Sequence, residues 1–104
     1  MRIEFKRGGG YTGIPLSARI DLDMLPEAEA KNLRELIDVA GFFELPAAIT
    51  TPATGADRFQ YTLTIKTPQR QHTVEIHEAA APPALRPLLE ALTAAARLQR
   101  EKAR

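Results

Sequence analysis

The stretch RFQYTLTIK, residues 58–66, alternates strictly between polar and apolar side chains. Its apolar members are Phe59, Tyr61, Leu63 and Ile65. A period of two places these four side chains on one face of a β-strand, because successive residues of a strand point to opposite sides. Such a strand belongs to a sheet that is covered on one face and exposed to water on the other.

Three further stretches show the same period of two, namely residues 2–6, 14–22 and 72–76. The first two flank the glycine-rich run RGGGYTG, and the third follows the short turn TPQRQ, so we predict two antiparallel hairpins. Residues 47–56, which precede the strand at 58–66, are small and polar and include proline and glycine. This composition predicts a surface loop, and its length makes it a candidate functional loop.

Two stretches carry apolar residues at helical spacing. They are Ala30, Leu33, Leu36, Ile37 and Ala40 in the first, and Leu85, Leu88, Leu89, Leu92 and Ala96 in the second. Pro26 suits the start of the first helix, and Gly41 suits a left-handed cap at its end. The predicted fold class is therefore α+β: a four-stranded antiparallel sheet with two main helices packed on one face, in the order ββαββα.

Length and charge limit the function classes. With 104 residues, we expect residues 1–104 to form a single domain with one core. The 14 Lys and Arg residues nearly balance the 13 Asp and Glu residues, whereas proteins that bind nucleic acid normally carry a clear basic excess. We therefore expect no nucleic-acid partner.

The chain shows neither an apolar signal segment nor a membrane-spanning run, so we expect a cytoplasmic protein without a membrane partner.

The residues that could support catalysis are few. The chain has no cysteine and two histidines, His72 and His77, whose odd separation sends them to opposite faces of a strand. Asp21 and Asp23 share a strand face and could bind a cation, but a cap or a cross-strand ion pair explains them more simply. We expect no catalytic residue, no metal site and no cofactor.

The run RGGGYTG superficially resembles phosphate-binding loops, which open a helix and, in P-loops, carry a lysine followed by serine or threonine. Here a strand follows, so the nucleotide interpretation is weak. Tyr11 within the run is either a core aromatic or an exposed contact residue. Asp57, before the strand at 58–66, could simply end its loop by accepting backbone hydrogen bonds.

Four segments, taken together, carry a resemblance to a known family. They are MRIEFKRGGGYTGI, LPEAEAKNLRELIDVAGFFELP, DRFQYTLTI and PPALRPLLEAL, and they cover almost the whole chain. In this order they resemble the emfourin family of small bacterial protein inhibitors of thermolysin-like metallopeptidases. The resemblance implies an α/β inhibitor, without enzymatic activity, that blocks the catalytic cleft of a zinc endopeptidase inside the cell. It implies a thermolysin-like metallopeptidase as partner, and we expect the inhibitor itself to be a monomer.

Two loops are candidates for the protease contact. The predicted contact residues are Gly8, Gly9, Gly10, Tyr11, Thr12, Asp57 and Arg58. Glycines allow close backbone approach, and a tyrosine can fill a pocket. The two loops form one contact edge only if they lie at the same end of the sheet. The alternative function is a non-enzymatic adaptor domain that binds another protein through the polar sheet face or an exposed strand edge.

Overall fold

The computed structural model describes residues 1–9, 15–50 and 59–102. Its main elements are β1 (Arg2–Gly9), β2 (Leu16–Asp21), α1 (Glu27–Ala40), β3 (Ala48–Ile49), β4 (Phe59–Lys66), β5 (Gln71–His77) and α2 (Arg86–Lys102). Three short 3₁₀ helices, Leu22–Met24, Phe42–Glu44 and Glu78–Ala80, lie between them. The α+β class and the two predicted helices are confirmed.

The sheet has five strands in the order β2-β1-β4-β5-β3. Four of them pair antiparallel as predicted, but β3 lies parallel to β5, with Ile49 opposite Ile76. The prediction of a four-stranded antiparallel sheet, with a loop throughout residues 47–56, is wrong in this respect. A two-residue strand is too short to show a period, and the pairing depends on a neighbour distant in the chain.

The core lies on one face of the sheet, beneath both helices. The side chains in this layer include Ile3, Phe5, Leu63, Ile65, Val74 and Ile76 from the strands, and Leu33, Ile37, Leu88, Leu89 and Leu92 from the helices. They are the residues that the two periodicities, 2 and 3.6, assign to the covered faces. The packing of both helices on one sheet face follows from this pattern.

The end of α1 closes one side of the core. Gly41 adopts a left-handed conformation with φ 59°, and its N–H caps the helix by donating to the carbonyl of Asp38 at 3.1 Å. The chain then turns into the 3₁₀ helix that buries Phe42. The His72 ring lies 5.4 Å from the Phe42 ring, and its Nε2 donates to the carbonyl of Leu45 at 2.7 Å. This histidine therefore anchors a connection between elements.

The outer edge of β2 is covered by the C-terminal part of α2. The Gln99 side chain accepts from the N–H of Arg19 at 3.4 Å and donates to the carbonyl of the same residue at 3.0 Å. Arg100 donates to the carbonyl of Pro15 at 2.7 Å. The Gln99 amide thus occupies the donor and acceptor of Arg19, which a further strand would otherwise use for pairing.

Gln99→Ala should uncover this edge. We expect a loss of about 1 kcal/mol in the free energy of unfolding, because two solvent-accessible hydrogen bonds are removed. We also expect the apparent mass to rise with concentration in light scattering, because the free edge can pair with a second copy. Glu101→Ala, an exposed change in the same helical turn, is the control. Equal masses for the two variants at all concentrations would show that Gln99 does not protect the edge.

Candidate protein-contact site

Both candidate loops leave the sheet at the same end. Gly9, the last residue of β1, pairs with Phe59, the first residue of β4. Leu16 at the start of β2 lies opposite Arg7, and His77 at the end of β5 lies opposite Gln60. We call this edge, where β1 ends and β4 begins, the loop end of the sheet. Residues 10–14 and 51–58 are therefore attached side by side.

Of the seven predicted contact residues, the structure describes two. Gly8 and Gly9 close β1, whereas Gly10, Tyr11, Thr12, Asp57 and Arg58 lie outside the described residues. The two described glycines differ in what they require. Gly9 has φ 78°, in the left-handed region that favours glycine, while a Cβ on Gly8 would meet nothing within 4 Å. Only Gly9 needs the conformational freedom of glycine.

The two glycines form a matched pair for mutation. Gly9→Ala should lower the free energy of unfolding by about 1–2 kcal/mol, because an L-residue is strained at this positive φ. Gly8→Ala should be neutral or stabilise by about 0.5 kcal/mol, because alanine restricts the unfolded chain and has room in the strand. Urea denaturation followed by circular dichroism measures both. Equal effects of the two substitutions would contradict the strained role of Gly9.

A cavity of about 360 Å³ lies between α2 and the loop end of the sheet. The charged and polar groups of its lining include Arg7, Tyr61, Glu78, Arg86, Glu90 and Arg97. These residues come from β1, β4, α2 and the 3₁₀ helix after β5. Three guanidinium groups and two carboxylates thus share a small space beside the attachment points of both loops.

Arg7 is the most constrained of these groups. Its guanidinium lies 4.1 Å from the centroid of the Phe59 ring, and its Nε is buried without a hydrogen-bond partner. Arg7 was not among the residues predicted from the sequence to form the site. A signal was available, because Arg7 falls two residues after Phe5 on the face that the alternation assigns to the core. A charged residue at a core-facing position near the end of a strand indicates a binding site or an exposed strand edge.

Tyr61 packs between this cavity and the core, with its ring 5.8 Å from that of Phe5. Burial raises the pKa of the Tyr61 hydroxyl, and the Glu78 carboxylate raises it further. The nearby arginines, Arg7 among them, oppose this rise in pKa. The hydroxyl is therefore protonated at neutral pH and can donate a hydrogen bond into the cavity.

The titratable residues elsewhere do not form a catalytic cluster in the part of the chain that the structure describes. His72 and His77 lie on opposite faces of β5, as predicted, and the described residues contain no group of three His, Asp or Glu that could hold a metal. Asp21 accepts from the N–H of Asp23 at 3.0 Å and caps the 3₁₀ helix that follows β2. This pair is therefore a local cap, with Asp21 as the capping residue.

A family model described as Emfourin matches residues 5–93. The chain belongs to the emfourin family. The match extends from β1 into α2 and confirms the resemblance drawn from the four sequence segments. Membership in the emfourin family indicates the role of a metallopeptidase inhibitor. Searches of curated proteins and of solved structures gave no significant match. Over the described ranges, no helix is both long and apolar enough to cross a bilayer.

Proposed function

We propose that this emfourin-family chain inhibits a thermolysin-like zinc metalloendopeptidase by placing the loop end of its sheet in the catalytic cleft. The observation that supports this proposal is the pairing of Gly9 with Phe59, which attaches both candidate loops to one edge. A single docking event can then bring both loops to the enzyme. The glycine-rich loop and the loop with Asp57 act together as one contact surface.

The two loops offer complementary chemistry to such a cleft. Thermolysin-like enzymes accept large apolar side chains beside the scissile bond, and Tyr11 supplies a large side chain at low entropic cost. The neighbouring glycines allow the backbone to approach the enzyme closely. Asp57 supplies a carboxylate for the catalytic zinc or for an arginine near it.

The base of both loops is held firmly, which favours tight binding. Strand β1 pairs along its whole length with β4, and Arg100 of α2 holds the carbonyl of Pro15, where the chain re-enters the sheet. Loops whose ends are held in place lose less conformational entropy when they bind. The same rigidity helps a loop remain in the cleft without being cleaved.

The test is inhibition of peptide cleavage by thermolysin, and by the metallopeptidase encoded nearest to this chain. We expect stoichiometric inhibition of at least one enzyme. We also expect the protein to compete with a small zinc-chelating inhibitor that occupies the cleft. Full activity of both enzymes at micromolar excess of the chain would overturn the proposal. Inhibition without competition would place the contact outside the cleft.

The adaptor alternative depends on the polar sheet face or a strand edge. On the β2 edge Gln99 bonds the N–H and the carbonyl of Arg19, and the opposite edge is partly covered by the two-residue strand β3, so among the described strands both edges are partly occupied. The polar face stays exposed, and its Thr64 and Thr73 hydroxyls bond to each other at 2.8 Å. This satisfied threonine pair gives the adaptor alternative no specific support.

A further inference from the structure

The cavity beside the loop end contains charges that the described ion pairs do not use. The described ion pairs join Met1 to Asp23, and Arg19 and Lys66 to Glu4. None of them includes any of the three arginines or two glutamates that line the cavity. Among the described residues of the lining, three positive groups and two negative groups leave one excess positive charge in a space of about 360 Å³.

Two further features make this cavity suitable for binding an anion. The Arg7 guanidinium lies over the Phe59 ring, 4.1 Å from its centroid, while its buried Nε lacks a partner, and an unpaired buried donor costs free energy. The first turn of α2, which begins at Arg86, contains no acidic residue. The positive end of this helix is therefore not neutralised within its own first turn.

We propose that the cavity lined by Arg7, Arg86 and Arg97 binds a carboxylate group. A carboxylate carries one negative charge, which balances the excess of the lining, whereas a phosphate dianion would meet repulsion from Glu78 and Glu90. The planar guanidinium fork also matches the planar carboxylate. The protonated Tyr61 hydroxyl supplies an additional donor in the same lining.

Two sources can present this carboxylate. One is an acidic side chain on the surface of the inhibited peptidase, which a partner docked at the loop end can reach because Phe59 belongs both to that end and to the cavity. This source rests on the proposed function. The other source is a small free carboxylic acid, whose binding is independent of the peptidase.

The first arm of the test uses the chain alone. N-acetylglutamate α-amide, which carries one carboxylate, is titrated while the Arg7 Nε–H resonance is followed by NMR. We expect a saturable shift, and none with the uncharged N-acetylglutamine α-amide. Arg97→Gln, an exposed change that should leave the fold intact, should weaken this binding at least fivefold. Arg2→Gln, on the polar face of β1, should leave it unchanged.

The second arm measures inhibition constants for a peptidase that the wild-type chain inhibits. If the enzyme supplies the carboxylate, Arg97→Gln should raise the constant about tenfold at low salt, and Arg2→Gln should not change it. A shift in the first arm alone identifies a free carboxylate, and a change in the second arm alone identifies the peptidase as the source. Negative results in both arms overturn the carboxylate site. Failure of the wild-type chain to inhibit any peptidase overturns the proposed function instead and leaves the first arm valid.

Discussion

Phe5→Ala should lower the free energy of unfolding by about 3–5 kcal/mol. The Phe5 side chain is 0% exposed and lies in the middle of β1, with Ala18 on one neighbouring strand and Leu63 on the other. Truncation removes its buried area and its contact with the Tyr61 ring, and leaves a cavity that flanking strands cannot close. Domains of this size have a total stability of about 5–15 kcal/mol, so the variant should be only marginally folded.

Urea denaturation followed by circular dichroism measures this loss. Val39→Ala is the matched control, because the Val39 side chain on α1 is 68% exposed and should change stability by less than about 0.5 kcal/mol. A loss below about 1 kcal/mol for Phe5→Ala would mean that β1 is not central to the core. Such a result would contradict the strand order β2-β1-β4-β5-β3, in which β1 lies between two neighbours.

Tyr11→Ala should raise the inhibition constant against the target peptidase by about thirtyfold or more, which corresponds to at least 2 kcal/mol of binding free energy. The expectation follows from the proposed role of Tyr11 as the aromatic anchor of the glycine-rich loop. Buried aromatic anchors at the centre of an interface account for most of the binding free energy lost on truncation to alanine. An exposed contact role for Tyr11 further predicts that the free energy of unfolding changes little, whereas a core aromatic would lower it on truncation.

Asp57→Ala tests the second loop in the same assay. If its carboxylate contacts the zinc or an arginine, the inhibition constant should rise by about tenfold or more. Gln69→Ala is the control, because Gln69 is exposed in the turn between β4 and β5, at the end of the sheet opposite to both loops. Wild-type inhibition by both loop variants would exclude the loop end as the contact surface. An effect of only one variant would identify the contacting loop.

The strands and helices were predictable because their signals are local. The alternation around Leu63 and the helical spacing around Leu33 each follow from which side of an element faces the core. Gly41 was predicted at a left-handed cap, and the structure places it there with φ 59°. The two-residue strand β3 was missed, because so short an element has no period and forms only where the chain passes beside β5.

The candidate site was only partly accessible from the sequence. The glycine run predicted a loop that includes Gly8 and Gly9, whereas β1 continues through Gly9, and the positive φ of Gly9 is what shows the backbone freedom of glycine there. The cavity beside it could not be predicted, because Arg7 and Arg97 lie at opposite ends of the chain and meet only when α2 packs across the sheet. The roles of Tyr11 and Asp57 remain predictions for the inhibition assay.

The sequence by itself determined the fold class, the covered face of the sheet, the ends of α1 and the family of this protein. These properties depend on residue types at short spacings, and the order of the four emfourin-like segments can be read directly from the sequence. The tertiary structure alone decided that Gly9 lies beside Phe59 and that three arginines share one cavity. Strand register and helix placement join residues distant in the chain, and the free energy of packing the common core selects them.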